Sequence, residues 1–260
     1  MKTVNAETLR KFESVCSSIE ELEFEDHFVD HVITDPPYAQ RTQDNTRRGR
    51  KTDRGISEPM SLGFDPATTE KRTRWMSRLS RMARRWTGVF SDVESVGEWK
   101  ALGERAGLEY VRTCIWVRTD DVDLTADRPN NAGVGAPQFT GDRPPSDYEC
   151  IVFFHNMDTK KRWFNGGRRA TYTSPVVRND RLHPTEKPLR LLIDILRDFC
   201  SVNDTVFDPF CGSGTTQTAA RMLGMAGAGG SDLDLKFASL ASRRATNATP
   251  FKNGQWPMRG

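Results

Sequence analysis

Three short stretches of this chain hold residue types whose value is chemical more than structural. The first is Asp35-Pro36-Pro37-Tyr38, directly after an apolar run over 28–34. Two prolines fix the backbone and carry no N–H, so the Asp35 carboxylate and the neighbouring carbonyls form a rigid row of acceptors. Acceptors beside an aromatic ring suit a planar ligand with an NH2 group. Its amino hydrogens would bond to Asp35 and the Pro36 carbonyl while Tyr38 stacks on its face. Taken alone, the tetrapeptide also fits an ordinary strand-end turn.

The second stretch is Phe207-Asp208-Pro209-Phe210-Cys211-Gly212-Ser213-Gly214-Thr215-Thr216. It reads as a strand running into a glycine-rich turn that opens a helix. Gly212 and Gly214 let the backbone approach a ligand closely, and a helix N-terminus offers amide donors that lack helical partners. No lysine follows the glycines, so the turn is not a Walker phosphate loop, and its spacing is not GxGxxG. Asp232 follows a further strand candidate, where an acidic residue can bind ribose hydroxyls. Together these features suit a nucleoside cofactor without a polyphosphate.

The third stretch is His183-Pro184-Thr185-Glu186-Lys187-Pro188, just ahead of a helical pattern. A lysine at a helix start opposes the helix dipole, which favours a functional use such as pairing with a carboxylate, although taken alone it reads as a surface lysine.

The elements that must position these residues alternate between apolar runs and amphipathic ones. Strand candidates lie at 28–34, 87–91, 110–117, 148–154, 205–207 and, more weakly, 226–231. Leu189, Leu192, Ile193, Leu196 and Phe199 share one face of a helix over 186–200, with Pro188 in its first turn. A second helix runs over 213–224, where Gly224 ends it. A third, over 70–86, buries Trp75, Met76, Leu79, Met82, Ala83 and Trp86, and carries a stripe of Arg74, Arg78, Arg81 and Arg85 read as a solvated outer face. Such alternation predicts an α/β sheet with helices on its faces. The stretches 39–66 and 119–147 read as long loops, which inside a compact domain tend to be functional or mobile.

Composition narrows the class. With 260 residues, 36% hydrophobic, including 14 Phe and 6 Trp, the chain suits one domain with a sizeable core. No apolar run approaches the about 18 residues of a membrane span, and residues 1–20 lack a signal-peptide core. A cytoplasmic protein is expected. Five scattered cysteines without a CxxC pair, and four histidines without ligand spacing, point to reduced thiols and no metal. The net charge of +3 conceals a local +4 over 39–54 and +5 over 156–181, which leaves −6 for the remainder. Positive charge gathered in two loop-like stretches is the footprint of a polyanion-binding face, although solvated loops would look the same.

The three motifs in this order resemble those of the permuted β group of DNA amino-methyltransferases, in which the catalytic half precedes the cofactor half. The likeness spans residues 22–246. It implies an α/β, three-layer, Rossmann-like methyltransferase fold, circularly permuted, with a mainly parallel sheet and one antiparallel strand. It implies one catalytic domain over 1–260: a catalytic half at 22–155, a short target-recognition insert at 156–182 and a cofactor half at 183–246. Asp35, Pro36, Pro37 and Tyr38 would be catalytic. S-adenosyl-L-methionine would bind at Asp208, Phe210, Gly212, Ser213, Gly214, Thr215, Asp232, Lys187, Thr185 and His183, with Lys187 or Thr185 near its carboxylate. The family usually has Glu where Asp232 stands, which implies either a longer ribose contact or one that falls partly to Asp234. Its Gly-Asp ahead of the catalytic half is not visible here, and Val4-Asn5-Ala6 is the candidate for that strand.

The resemblance implies methyl transfer to the exocyclic amine of a flipped base in double-stranded DNA, adenine N6 ahead of cytosine N4, because the box begins with Asp. A second subunit and a cognate restriction endonuclease are candidate partners. Arg47, Arg48, Arg50 and Lys51 are expected to contact phosphate, and Arg168 and Arg169 to read the target from a segment that interleaves Trp163, Phe164 and Tyr172 with its cations. Both segments are expected at the carboxyl edge of the sheet. Enzymes that methylate RNA or protein glutamine begin the related box with Asn and place it after the cofactor motif; this chain does neither. A non-catalytic DNA-binding protein is the other reading, disfavoured by two intact motifs.

Overall fold

The computed structural model describes residues 2–38, 51–52, 55–56, 66–119, 147–167, 169–177, 181–183 and 185–251. Eight strands form the main sheet: β1 Ser14–Cys16, β2 His31–Thr34, β3 Trp86–Ser91, β4 Leu108–Thr119, β5 Tyr148–Asn156, β6 Thr171–Pro175, β7 Thr205–Asp208 and β8 Gly227–Asp232. Their spatial order is β6-β4-β5-β3-β2-β7-β8-β1. Every pairing is parallel except the two made by β5, so β5 alone runs against the others. This is the three-layer, mainly parallel fold with one antiparallel strand that the motif order implies.

Among the described residues, six helices cover the sheet: α1 Ala6–Arg10, α2 Thr69–Met82, α3 Val96–Arg105, α4 Leu189–Phe199, α5 Thr215–Met222 and α6 Leu235–Asn247. Side chains alternate along each strand, and the alternation makes two cores. Ile33, Phe90, Phe153 and Val206 point to the layer holding α4 and α5. Val32, Val89, Val152, Phe154 and Phe207 point to the layer of α1, α2 and α3. Burial on both faces explains why the central strands β2, β3 and β5 read as nearly continuous apolar runs.

Several elements differ from the sequence expectation for local reasons. Helix α2 stops at Met82, because Ala83 is extended (φ −88°, ψ 133°) and Trp86 already begins β3. The arginines beside it are not a free stripe. Arg74 pairs with Glu20 at 3.0 Å, Arg81 with Asp26 at 2.7 Å, and Arg78 donates to the Leu22 carbonyl while lying over the Phe24 ring. The acidic segment 20–26 takes up that charge. At the N-terminus, Lys2–Thr3 pairs with Leu22–Glu23 in a small separate sheet, and Asn5 caps α1 instead of continuing a strand.

Within the segment 156–182, expected as a target-recognition insert, the described residues 156–167 and 169–175 are built into the fold. The Trp86 indole donates to the Arg162 carbonyl at 2.9 Å, and Trp163 packs edge-on against Phe199 at 4.9 Å. Because Trp86 pairs with His155 at the start of β3, Lys160, Lys161, Arg162 and Trp163 lie at the amino edge of the sheet, opposite the expected place. Tyr172 lies on the edge strand β6 with its ring in the core and its hydroxyl donating to Asp198 at 3.1 Å. No helix among the described residues is long and apolar enough to cross a membrane.

Candidate active site

Three adjacent parallel strands, β2, β7 and β8, deliver the sequence motifs to one edge. Asp35 follows β2, the glycine turn follows β7, and Asp232 ends β8. Ligands bind outside the carboxyl ends of strands in open sheets of this kind. The antiparallel strand β5 adds what the motifs do not contain. Its first residues lie at the same carboxyl edge, with Cys150 beside Ser91 and Glu149 opposite Trp116.

Asp35 Oδ2 accepts from Lys187 Nζ at 2.5 Å. The same ammonium lies 3.2 Å from Glu149 Oε2, and its nitrogen sits 5.4 Å above the Tyr38 ring and 5.2 Å from that of Phe90. Tyr38 donates its hydroxyl hydrogen to Glu149 Oε2 at 2.6 Å, and Arg118 pairs with Glu149 Oε1. Asp35 Oδ1, although buried, has no hydrogen-bond partner among the described residues. One carboxylate oxygen is therefore left unsatisfied, and an unpaired buried acceptor is costly until a donor arrives.

Electrostatics follow from this packing. Burial raises the Asp35 carboxyl above its usual range, opposed by Lys187 and reinforced by Glu149. For Glu149, burial pulls upward, but Lys187 and Arg118 win and lower it to about 2. Burial alone would discharge Lys187; the two carboxylates hold it charged. Burial pushes the Tyr38 phenol well above its usual range, and Asp35 and Glu149 add to the effect. The cluster thus keeps Glu149 and Lys187 ionised and the Tyr38 hydroxyl protonated near neutral pH.

The glycine turn is tied to the same edge through Asp208. Its carboxylate accepts from Thr34 Oγ1 at 2.7 Å, Thr216 Oγ1 at 2.9 Å and the Phe210 amide at 3.1 Å. Burial lifts its pKa to about 6. Asp208 therefore links the end of β2, one residue before Asp35, to the turn. Gly212 has φ +49° and Gly214 φ +80°, both in the left-handed region that costs other residues. A Cβ on Gly212 would stand 3.4 Å from the His183 ring, so any side chain would fill the space between turn and ring. His183 packs edge-on against Phe237, and Thr185 turns back on its Nδ1. Asp232 accepts from the Gly212 amide at 3.0 Å and the Asp234 amide at 2.9 Å, while Asp234 caps α6 through the Lys236 amide.

Arg244 of α6 binds Glu186 at 2.6 Å and Ser213 Oγ at 3.1 Å, with Thr215 Oγ1 at 3.4 Å. It clamps the 183–188 segment onto the glycine turn. Phe210 packs edge-on against Trp75 at 4.9 Å. The turn, lacking a side chain where the ring of His183 faces it and carrying an acid at its mouth, fits a nucleoside cofactor.

The structure thus joins Asp35, Tyr38 and Lys187, and separately gathers His183, Thr185, Asp208, Phe210, Gly212, Ser213, Gly214, Thr215 and Asp232. Pro36 and Pro37 lie in the extended segment after β2. Lys187 reaches the Asp35–Tyr38 box and not the glycine turn. Glu149, Arg118, Glu186 and Arg244 were not expected from sequence, yet an acid opening the apolar run Tyr148–Phe154 was a usable signal for Glu149. Arg47, Arg48, Arg50, Arg168 and Pro184 lie outside the described residues, the backbone of Lys51 falls in a two-stranded ladder with 55–56, and Arg169 is exposed one residue before Ala170, whose carbonyl bonds Ile115 of β4. Among the described residues, no three His, Cys, Asp or Glu side chains are grouped to hold a metal. Burial keeps the Cys200 and Cys211 thiols far above their usual range, so neither is a ready nucleophile.

A DNA methylase family model for N6 and N4 enzymes matches residues 29–243. The type II methyltransferase M2.LlaDCHI of Lactococcus lactis subsp. cremoris is 26% identical over 247 residues, covering 86% of this chain and 84% of its own. Among solved structures, TTHA0409 of Thermus thermophilus, complexed with S-adenosyl-L-methionine, aligns with a TM-score of 0.60 at 18% identity, over 92% of this chain and 95% of that one. The cytosine-N4-specific PvuII DNA methyltransferase aligns at 0.61 with 12% identity, over 91% and 89%. At these identities the two structural matches speak for the fold.

Proposed function

This chain belongs to the N6/N4 DNA methylase family, and from that premise we propose that it methylates the exocyclic amine of a flipped base in DNA, adenine N6 in preference to cytosine N4. The observation that supports this most is the unsatisfied Asp35 Oδ1, close to Tyr38 in the segment after β2, the strand that neighbours β7 and its glycine turn. S-adenosyl-L-methionine is the methyl donor, and it supplies an electrophilic methyl on a sulfonium. Gly212, Ser213, Gly214, Thr215, Phe210, His183, Thr185 and Asp232 are assigned to holding it.

An exocyclic amine is a poor nucleophile, because its lone pair is delocalised into the ring. Asp35 Oδ1 and the Pro36 carbonyl, by accepting the amino hydrogens, favour the pyramidal nitrogen of the transition state. Tyr38 stacks on the base and keeps the amine in line, and Pro36 and Pro37 hold the acceptors rigid. Asp35 acts as an electrostatic acceptor, and no covalent cysteine step is involved. We assign residues 22–155 to amine binding and 183–246 to the cofactor, with 156–182 carrying the edge strand β6 between them.

The Asp at the head of the box supports adenine. Mass spectrometry of nucleosides from DNA incubated with enzyme and labelled donor is expected to show N6-methyladenine. N4-methylcytosine alone would overturn the base assignment, and label in RNA or protein but not in DNA would overturn the function. The type II name of the Lactococcus relative supports a restriction partner, and a second copy of the chain could complete the DNA grip.

DNA holding is assigned to Arg47, Arg48, Arg50 and Lys51 for phosphate, and to Arg168 and Arg169 for target choice. Replacing Arg47, Arg48 and Arg50 by Ala is expected to weaken DNA binding and to flatten the salt dependence by about one unit of slope for each phosphate no longer neutralised. Fluorescence anisotropy across a salt series reads this. An unchanged slope would place DNA elsewhere on the chain.

A further inference from the structure

Glu149 lies outside all three sequence motifs, yet its carboxylate is given over to the amine-binding box. One oxygen accepts from the Tyr38 hydroxyl at 2.6 Å and lies 3.2 Å from Lys187 Nζ; the other takes Arg118. Only 8% of the residue is exposed. We propose that Glu149 is a positioning residue for methyl transfer, which anchors Tyr38 and shares Lys187 so that Asp35 keeps one oxygen open for the amine of the target base. The proposal rests on the assignment of Asp35 as amine acceptor.

The geometry carries it in two steps. Tyr38 must present a ring face at a fixed height, and the hydroxyl end of that ring is secured by Glu149. An anchored platform spares the ordering cost that a loose one would incur when the base arrives. Lys187, in turn, has three hydrogens to donate. With Glu149 opposite, the ammonium is drawn to Asp35 Oδ2 and to Glu149 Oε2, and Asp35 Oδ1 is left over. Without Glu149 the ammonium would settle wholly on Asp35, cover its second oxygen and cancel the charge the amine needs. Arg118 balances the extra carboxylate, so two cations meet two acids.

A buried carboxylate kept for packing alone would be a poor choice, because apolar side chains of like volume generally do as well or better. Here the carboxylate spans both Tyr38 and Lys187. It arrives because β5 is antiparallel and starts at the edge where the other strands end.

The test uses the full chain with Glu149→Gln and Glu149→Asp. Glu149→Gln is expected to bind S-adenosyl-L-methionine within about twofold of wild type by calorimetry, since no cofactor residue changes. Its kcat on target DNA should fall by about 10- to 100-fold, the range expected when a reacting group shifts by an ångström or less. The groups facing Asp35 are Lys187 from the segment before α4, Glu149 from β5, Asp208 from β7 and Tyr38 from its own segment, with Arg118 of β4 behind Glu149. Removing the Glu149 charge relieves repulsion on Asp35 and leaves Lys187 to it, so the acid limb of kcat should move to lower pH. Glu149→Asp, which keeps the charge, should hold the wild-type acid limb and recover part of kcat. A Glu149→Gln enzyme with the rate and pH profile of wild type overturns the role of Glu149 and leaves the proposed function standing. So does a rate loss matched by an equal loss of cofactor affinity and of thermal stability. A wild type that methylates no DNA overturns both.

Discussion

Asp35→Ala is expected to bind S-adenosyl-L-methionine as wild type does and to lose methyl transfer by about 10²–10³-fold, the scale of removing one preorganised group from a reacting centre. Asp35 sits one residue beyond β2, and its Oδ1 is buried without a partner among the described residues. Nothing in the glycine turn depends on it directly; the turn is held by Asp208, Asp232 and Arg244. Truncation also removes the 2.5 Å partner of Lys187, so some stability is lost, although Glu149 still neutralises the ammonium. Asp35→Asn separates the effects. It preserves the shape and one neutral acceptor, so thermal stability should be close to wild type while the rate stays low. Because the Asp35 carboxyl is raised chiefly by burial, the wild-type rate should also fall on the acid side as Asp35 takes up a proton. Single-turnover transfer beside calorimetry measures both quantities, and normal turnover by Asp35→Asn would exclude the box as the amine acceptor.

Gly214→Ala should abolish measurable cofactor binding, and Gly212→Val should do nearly as much. At Gly214 the backbone is left-handed (φ +80°), and an added Cβ would fall 2.6 Å from Ala241 Cα. The obstacle is α6 backbone, which cannot swing aside as a side chain can. Either the turn unwinds or α6 moves, and α6 carries Arg244, the residue that bonds Ser213 and Glu186. Left-handed strain alone is worth about 1–2 kcal/mol for an L-residue. Where that strain is borne by the bound form, binding should weaken by about 5- to 30-fold before the clash is added. At Gly212 the strain is similar (φ +49°), but the nearest neighbour is the His183 ring at 3.4 Å, so a larger side chain is needed to block the cradle. Titration calorimetry with S-adenosyl-L-methionine, paired with thermal melts, distinguishes a blocked cradle from a collapsed fold. Undiminished affinity in both variants would move the cofactor away from this turn.

The basic segments show how charge can mislead. Arginines at helical spacing on α2 are a solvated stripe by pattern, and Arg74 and Arg81 do stay exposed, but in the fold the stripe also meets Glu20, the Leu22 carbonyl and Asp26 of a segment far away in sequence. Lys160, Lys161 and Arg162 count towards a local excess of +5 in sequence, but the strand register sends them to the edge away from the glycine turn. Net charge per segment is blind to direction, and direction decides whether a cation can reach DNA at the site.

What the sequence determined by itself was local. Prolines after an apolar strand, glycines between a strand and a helix, and an acid after the next strand each act within a few residues. Backbone restriction and φ > 0 need no distant partner to be legible. Apolar runs likewise foretold β2, β3, β5 and β7, because strands buried on both faces are apolar throughout. Strand β4 is half-exposed and keeps charged residues between its apolar ones, and the glycine-rich β8 gave a weaker signal. Other elements were invisible for the converse reason. Helix α6 buries only Ala238, Ala241 and Ala245, too little apolar contrast to show a face, and β6 turns Tyr172 and Ser174 inward in a five-residue strand. Strand β1 is three residues long. Tertiary structure alone decided that Lys187 lies between Asp35, just after β2, and Glu149 of β5, residues far apart in the chain. Pairing of that kind depends on sheet order and on the reversed direction of β5, and both are settled by packing the whole sheet between its two helical layers.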